Sequence, residues 1–297
     1  MTNHENRQFL ARREGEITDQ KDRLPKVEMP SKMAIIPPIE GLYLLDQEEL
    51  FELVLAEVRD KFDVCVGEDD MYIACFPKES SAPYPVLGAH LDVKNDVPPY
   101  FVQEWVEDGC RAHVGFDQVG ERCILGADDR NGVWAMLELI NQGFTDWGYI
   151  FTKFEEVGRL GAIAVRESGI LQKRRDEIAY FLMLDEPYTD RLGYRVMKKL
   201  PGKPTLHDNA MFIRKLAIFG CFEGYKLAKD GSTDYIEYCL ATGLCGINLS
   251  VGYMNYHKPE EYSDMVYVKK LPRIIEKLVK HLGAEQYALQ NSLSISA

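Results

Sequence analysis

The chain has 297 residues, of which 46% are hydrophobic and 28% are charged, a composition typical of globular proteins. Lys and Arg number 35 against 47 for Asp and Glu, so the formal net charge is −12. Such an acidic chain is a poor candidate for binding nucleic acid or an anionic membrane, because both favour clustered Lys and Arg. The excess carboxylates favour solubility, and several of them are candidate ligands for cations.

The cysteines and the N-terminus bear on the cellular compartment. Seven cysteines occur, an odd number, with no C-x-x-C spacing, and most stand in apolar runs such as "MYIACF". We therefore expect reduced core residues and no disulfide framework. The N-terminus is polar and lacks the apolar segment of a secretory signal, and no run is long enough to span a bilayer. These features predict a cytoplasmic protein.

The hydrophobic pattern predicts alternating helices and strands. Residues 1–40 show no sustained periodicity and are predicted to form an N-terminal arm. A helix is predicted from Asp46, where Glu49 completes the pattern of a capping box. Strand-like runs lie at 71–76, 84–92, 111–116, 121–126, 147–154, 179–186 and 244–252. Further helices are predicted at 133–142, 158–169 and 232–243 and from residue 271 onwards.

This alternation indicates an α/β fold with a mostly parallel, or mixed, central sheet and helices on both faces. The run at 179–186 is continuously apolar until its last residues, as expected for a strand covered on both faces. No linker divides the chain, so residues 41–297 are predicted to form one catalytic domain without an inserted lid. Ligands of such sheets bind outside the carboxyl ends of the strands.

Acidic residues and histidines cluster just after five of the strand-like runs. They are His90 and Asp92 in "GAHLD", Asp128 and Asp129 in "GADDRNG", Glu155 and Glu156 in "FEEVGRLGA", Asp185 and Glu186 in "FLMLDEP", and His257 in "GYMNYHKPEEY". Each motif alone has an ordinary structural explanation, such as a helix cap, a solvated face or a turn. Together, two histidines and several carboxylates at one end of a sheet favour zinc or a similar divalent ion.

The adjacent glutamates raise a separate question of geometry. Glu155 and Glu156 are predicted at the end of a strand, where neighbouring side chains point to opposite faces. Strand geometry would then direct one carboxylate to a metal and leave the other for a different task.

The order of the motifs resembles that of the co-catalytic di-zinc exopeptidases, which include peptidase T, bacterial leucyl aminopeptidases, and related carboxypeptidases and aminoacylases. The shared pattern is H-x-D, G-A-D-D-[KR]-x-G, E-E-x-G-x-x-G-A, an apolar strand ending in D, and H before P-x-E, and it runs from Val86 to Glu261. The resemblance implies a zinc-exopeptidase (phosphorylase/hydrolase-like) fold. The intervals of 38 positions from His90 to Asp128 and 72 from Asp185 to His257 are short, as in the compact single-domain aminopeptidases.

The resemblance also implies a role for each motif. Asp128 would bridge two metal ions. His90 and Asp185 would complete one metal site, and Glu156 and His257 the other. Asp92 would orient His90, and Glu155 would be the general base that accepts a proton from the water between the metals. The family further implies a cis peptide between Asp128 and Asp129.

A further stretch, "DGSTDY", resembles a segment that lies near substrate in the family. Ser232, Thr233 and Asp234 are therefore candidates for binding a substrate terminus. The alternative is that Ser232 or Thr233 caps the helix that follows. The aromatic residues Tyr100, Phe101 and Trp105 could line a specificity pocket, although such residues more often belong to the core.

These observations predict a two-metal hydrolase of amide bonds, most simply an aminopeptidase acting on short peptides. A carboxypeptidase or a deacylase of N-acyl amino acids could use the same site, and a binding protein that kept the fold is a further alternative. Two zinc ions are the expected cofactors, with manganese or cobalt as substitutes because they accept the same mixed N/O ligands. The sequence leaves the oligomeric state open.

Overall fold

The structure is a computed structural model, and it describes residues 37–80, 83–107, 109–194, 206–229 and 233–291. Most of the predicted arm, residues 1–36, lies outside this part of the chain, and so does Ser232. The last two residues of the predicted arm, Ile39 and Glu40, already belong to the first helix.

The described residues form nine α-helices, which we number in chain order. They are α1 (Ile39–Tyr43), α2 (Gln47–Val58), α3 (Ala127–Asn141), α4 (Leu160–Ser168), α5 (Ile170–Lys173), α6 (Ala210–Glu223), α7 (Tyr235–Thr242), α8 (Met265–Val268) and α9 (Leu271–Leu282). None of the helices in these ranges has the length and apolar character needed to span a membrane.

Fifteen strands complete the described part of the chain. They are β1 (Asp63–Val66), β2 (Tyr72–Phe76), β3 (Tyr84–His90), β4 (Phe101–Glu107), β5 (Cys110–Phe116), β6 (Arg122–Cys123), β7 (Gly148–Thr152), β8 (Ile178–Glu186), β9 (Arg191–Tyr194), β10 (Leu206–His207), β11 (Lys226–Lys229), β12 (Gly246–Ser250), β13 (Tyr253–Met254), β14 (Tyr262–Asp264) and β15 (Gln290–Asn291).

The central sheet has eight strands in the order β1-β2-β7-β3-β8-β12-β9-β11. In the middle of this order, β7, β3, β8 and β12 run parallel to one another, and at its end β9 is parallel to β11. The remaining neighbours, β1 with β2, β2 with β7, and β12 with β9, are antiparallel. The predicted mostly parallel, mixed sheet is therefore confirmed.

Both faces of the central sheet are covered. Alternate residues of β8 enter different apolar clusters: Leu182 packs in the cluster that includes residues of α2, α3, α6 and α9, whereas Phe181 packs in the cluster that includes residues of α4 and α7. All strand residues of β8 up to Leu184 are buried. This two-sided burial explains why the sequence of the strand is continuously apolar.

A second, five-stranded sheet lies beside the central one. Its path is β13-β14-β5-β4, and β6 pairs with β5. The sequence pattern missed β4, which pairs with β5 from Phe101 opposite Phe116 to Glu107 opposite Cys110. The rings of Phe101 and Phe116 stack at 5.0 Å, so these aromatics stabilise the hairpin.

Local signals were accurate where the capping and periodicity were strong. Asp46 and Glu49 form the predicted capping box at the start of α2. Several expectations differ from the structure: the strand predicted at 121–126 is only Arg122–Cys123, and the helix predicted at 133–142 already begins at Ala127. The strand predicted at 147–154 ends at Thr152. The cysteines were expected in the core, but only three of the seven are buried, and Cys110 and Cys221 are exposed. All seven are free thiols.

Candidate metal centre

The chemistry-bearing motifs meet at one edge of the central sheet. β7, β3 and β8 are parallel neighbours, so their carboxyl ends lie side by side. His90 is the last residue of β3, and Asp185 lies near the end of β8. The glutamates follow β7 by a few residues, and Asp128 lies in the first turn of α3, which packs on β3. Parallel topology thus brings together residues far apart in sequence.

His90 forms the first of two groups of candidate ligands with Asp128 and Asp185. Its Nε2 atom lies 3.1 Å from Oδ1 of Asp128 and 3.6 Å from Oδ1 of Asp185. One ligand atom from each of the three residues lies within 4.8 Å of the other two. The group is almost closed to solvent, since His90 is buried and Asp185 is half-buried.

Glu156 and His257 form the second group, again with Asp128. The Nε2 atom of His257 lies 2.6 Å from Oε1 of Glu156 and 3.2 Å from Oδ2 of Asp128. These ligand atoms also lie within 4.8 Å of one another. On the solvent side, Nζ of Lys94 is 3.6 Å from Oε2 of Glu156.

Asp128 belongs to both groups because its two carboxylate oxygens face different histidines. Oδ1 faces His90 and Oδ2 faces His257. The peptide between Asp128 and Asp129 is cis, as the resemblance implied. Glu261, the last residue of the motif pattern, had no predicted role, but its carboxylate accepts hydrogen bonds from the backbone N–H groups of Gly126 at 2.8 Å and of Asp128 at 3.2 Å. Glu261 thereby supports the segment that presents Asp128.

Asp92 connects His90 to the glutamate turn. The Nδ1 atom of His90 lies 3.0 Å from the backbone oxygen of Asp92 and 3.4 Å from its Oδ1 atom. The carboxylate itself accepts hydrogen bonds from the backbone N–H groups of Glu155 at 2.9 Å and of Glu156 at 3.0 Å. Asp92 therefore positions both the imidazole and the turn that carries the two acids.

The two glutamates are separated by a turn and not by strand geometry. β7 ends before them, Phe154 has a positive φ of 62°, and the backbone oxygen of Glu155 accepts hydrogen bonds from the N–H groups of Gly158 and Arg159. The strand-based explanation was therefore wrong. The side chain of Glu156 contacts His257, whereas that of Glu155 lines a cavity.

Burial and neighbouring charges shift the pKa values of the site residues in different directions. Hydrogen bonds to Asp128 and Glu156 raise the pKa of His257 to about 10. Burial would raise the pKa of Asp128, but its hydrogen bonds with His257 and His90 hold that pKa well below its usual range. Burial, together with nearby acids such as Asp185, raises the pKa of Glu155 to about 9, although His90 lowers that pKa in part. Glu155 thus has a higher proton affinity than an ordinary glutamate.

The donor sets fit divalent cations. Each of the two groups offers one imidazole nitrogen and two carboxylate oxygens, the mixture that zinc, manganese and cobalt accept. Several acids in a largely buried cluster repel one another, and a cation between them relieves that repulsion.

Two of the three candidates for substrate binding, Thr233 and Asp234, lie in the described part of the chain, and both are buried. Thr233 is buried and donates a hydrogen bond from Oγ1 to Oδ2 of Asp185 at 2.6 Å. Asp234 is fully buried and accepts a hydrogen bond from the hydroxyl of Thr152. Thr233 is therefore placed to orient Asp185, and Asp234 lies beneath the surface of the site.

Residues without a motif also support Asp185. The hydroxyl of Tyr253 donates to the backbone oxygen of Asp185 at 3.0 Å and to its Oδ1 atom at 3.2 Å. Oδ1 of Asn248 accepts a hydrogen bond from the Asp185 N–H at 2.9 Å. No sequence signal pointed to Tyr253 or Asn248, because their contact with Asp185 arises only from the packing of β8, β12 and β13.

A cavity of about 300 Å³, the site cavity, opens beside the two ligand groups. Asp128, Glu155, Glu156, Asp185 and His257 line it. Its remaining walls are formed in part by Glu186, Tyr188, Arg191 and Tyr256. Tyr100, Phe101 and Trp105, which were candidates for a specificity pocket, are not among its lining residues.

Comparisons with known proteins bear on the fold. No protein-family model and no curated protein matches the chain. Among solved structures, it is similar to aminopeptidase PepT from Bacillus cereus (14% identity, 82% of this chain and 96% of that chain, TM-score 0.59) and to a tripeptidase from Staphylococcus aureus (13% identity, 82% and 96%, TM-score 0.57). It is also similar to an aminopeptidase from the archaeon Desulfurococcus kamchatkensis (14% identity, 87% and 98%, TM-score 0.54). The chain therefore shares the fold of these peptidases, as the order of its motifs implied.

Proposed function

We propose that the chain is a metal-dependent hydrolase that cleaves amide bonds, most simply an aminopeptidase acting on short peptides, with residues 41–297 as its catalytic unit. The observation that carries this proposal is the pair of ligand groups that share Asp128. A carboxylate with one oxygen toward each group is suited to bridge two cations, which in two-metal hydrolases lie roughly 3.5–4 Å apart. The fold shared with several peptidases supports the same conclusion.

His90 and Asp185 would hold one ion, Glu156 and His257 the other, and Asp128 both. When bound, two divalent ions would activate a water molecule and polarise the carbonyl of the scissile bond. Asp92 fixes the orientation of His90 through the contacts at Nδ1, which leaves Nε2 directed at Asp128 and Asp185. A hydrogen bond to the ring nitrogen that does not bind metal keeps a ligand histidine in place and thus preserves metal affinity.

Glu155 would transfer the proton. As the water oxygen bonds to the carbonyl carbon, a carboxylate oxygen of Glu155 accepts the water proton. The C–N bond then breaks, and Glu155 returns the proton to the nitrogen of the leaving amine. The site environment favours this role, because burial raises the pKa of Glu155 to about 9 and bound cations would lower it toward neutrality. Glu156 is placed against His257 and is suited to ligation.

The test combines metal quantification with hydrolysis of a panel of aminoacyl-anilides, free dipeptides and N-blocked peptides. We expect about two zinc, manganese or cobalt ions per chain and release of an N-terminal residue that stops when a chelator is added. The Glu155→Gln variant should retain the metal and lose at least about 100-fold in turnover, because general acid–base catalysis contributes roughly 10²–10⁴-fold.

The panel also separates the alternatives. Cleavage of N-acyl amino acids in preference to peptides with a free amino terminus would identify a deacylase, and removal of the last residue from longer blocked peptides would identify a carboxypeptidase. A protein that binds no metal and cleaves none of the substrates would contradict the proposal. Full activity of the Glu155→Gln variant would contradict the role of Glu155.

A further inference from the structure

The walls of the site cavity carry an uneven distribution of charge. Thirteen described residues line it, and they include five acidic side chains. Arg191 is the only Lys or Arg among these thirteen residues. In a cavity built from carboxylates, one guanidinium group marks the place where an anionic part of a ligand can be held.

Arg191 is held in position from several sides. Its guanidinium carbon lies 3.9 Å from the centroid of the Tyr188 ring, and Nη1 lies 3.8 Å from Oε1 of Glu186. The second distance exceeds that of a hydrogen bond, so Glu186 attracts the guanidinium without occupying its N–H donors through a direct bond. The side chain of Arg191 is 41% exposed, which leaves it accessible to a ligand.

The backbone at Arg191 is also anchored. The N–H group donates a hydrogen bond to Oγ of Ser250 at 3.0 Å, and Arg191 begins β9 in the central sheet. The same wall of the cavity therefore contains a fixed strand end, an aromatic ring and a cation. A guanidinium held in this way loses little conformational freedom when it binds a planar carboxylate through two N–H groups.

We propose that Arg191 binds the α-carboxylate of the residue whose nitrogen is released, so that the preferred substrates are dipeptides or N-acyl amino acids with a free carboxyl group. This inference rests on the proposed function, since it places the scissile amide at the candidate metal centre. The size of the cavity supports it, because about 300 Å³ is at the lower end of the roughly 300–1,000 Å³ of ligand pockets. A long peptide would instead have its next amide, and no carboxylate, near Arg191.

The test measures binding to metal-loaded protein carrying Glu155→Gln, which prevents turnover. Leu-Gly and Leu-Gly-amide are titrated calorimetrically into this protein with and without the additional change Arg191→Gln. We expect Leu-Gly to bind about 10–100-fold more tightly than the amide, because hydrogen bonds to charged groups are strong. Arg191→Gln should reduce that preference at least tenfold, and Arg191→Lys should restore part of it. Bound metals also attract carboxylates, so the change between variants, and not the preference alone, reports on Arg191.

Arg111→Gln is the matched control. Arg111 is an exposed arginine that pairs with Glu104 in the second sheet, and its removal should leave the preference for the free carboxylate unchanged. A parallel titration of N-acetyl-leucine distinguishes an acyl amino acid from a dipeptide as the better ligand. The inference is overturned if the amide binds as tightly as Leu-Gly, or if Arg191→Gln leaves the preference intact. Either result would leave the metal content and the effect of Glu155→Gln on turnover as independent tests of the proposed function.

Discussion

At the scale of single residues, the neighbouring glutamates have different environments. The Glu156 carboxylate contacts the His257 imidazole, and the backbone N–H groups of both glutamates are held by Asp92. Both side chains line the site cavity, but Glu155 has no such histidine contact, and burial raises its pKa to about 9. One residue is thus suited to ligation and the other to proton transfer, although they are adjacent in the chain.

Glu156→Gln should therefore weaken metal binding. Loss of a residue that only orients a metal ligand commonly reduces metal affinity about 10–100-fold. Loss of a ligand itself should therefore reduce metal affinity by about 100-fold or more. Competition with a chromophoric chelator measures the affinity of each site. Glu155→Gln is the control and should retain both ions. Equal metal affinities in the two variants would contradict the division of roles.

Asp208 allows a test of pH dependence away from the metal centre. Burial raises its pKa from 3.8 to about 7, although contact with the Cys245 thiol lowers the pKa in part. The unfolded chain loses this proton near pH 4, whereas the folded chain keeps it until about pH 7. The stability that Asp208 contributes is therefore complete below pH 4 and is lost as the pH rises to 7.

Asp208→Asn should remove this loss, because the amide remains neutral at all these pH values. The gain in free energy of unfolding relative to the unchanged protein should be about 2 kcal/mol larger at pH 8 than at pH 5, since one pKa unit corresponds to about 1.4 kcal/mol. Urea denaturation at the two pH values measures the difference. A gain that does not depend on pH would show that Asp208 is ionised in the folded protein at pH 5.

At the scale of elements, α3 approaches β8 closely enough to require a glycine. A Cβ atom added at Gly132 would lie 2.3 Å from the backbone oxygen of Leu184 and 2.5 Å from Oδ1 of Asp129. The first of these atoms belongs to a buried central strand and has little freedom to move. Gly132, the last residue of "GADDRNG", therefore sets the distance between the helix that carries Asp128 and the strand that carries Asp185.

Gly132→Ala should destabilise the protein by about 2–3 kcal/mol, because overpacking at a rigid contact typically costs about 1–3 kcal/mol. Chemical denaturation measures the change. Gln142→Ala, at the exposed C-terminal end of the same helix, is the control and should change stability by less than about 0.5 kcal/mol. A variant at Gly132 as stable as the control would show that the helix can shift away from β8 without loss.

At the scale of the whole molecule, the candidate ligands join separate parts of the fold. They extend from His90 on β3 to His257 after β13, so the unfolded chain has no assembled site. Metal bound only to the folded state stabilises that state by mass action, by about 2.7 kcal/mol when the free metal is 100 times its dissociation constant.

Removal of metal should therefore lower the melting temperature by several degrees, and restoring zinc should reverse the change. Differential scanning calorimetry with and without a chelator measures the effect. The double variant His90→Ala and His257→Ala is the control, because its melting temperature should not respond to the chelator. A melting temperature of the unchanged protein that is insensitive to both chelator and zinc would contradict metal binding by the folded chain.

The sequence alone was sufficient for the alternation of elements, the capping box at Asp46 and the order of the five motifs. These features depend on local spacing, which reflects backbone geometry and burial directly. The predicted mostly parallel sheet followed from the same pattern, and parallel strands with a common carboxyl edge explain why the motifs meet.

Only the tertiary structure decided the turn that separates Glu155 from Glu156, the support of Asp185 by Tyr253 and Asn248, and the location of Arg191 in the wall of the site cavity. The residues that support Asp185 and the cation in the cavity wall have no motif and no periodic signal, because their contacts join segments that are distant in the chain. The residues that meet at the candidate centre could thus be named from local patterns. The shape and charge that select a substrate arise from packing between elements, which a single sequence does not reveal.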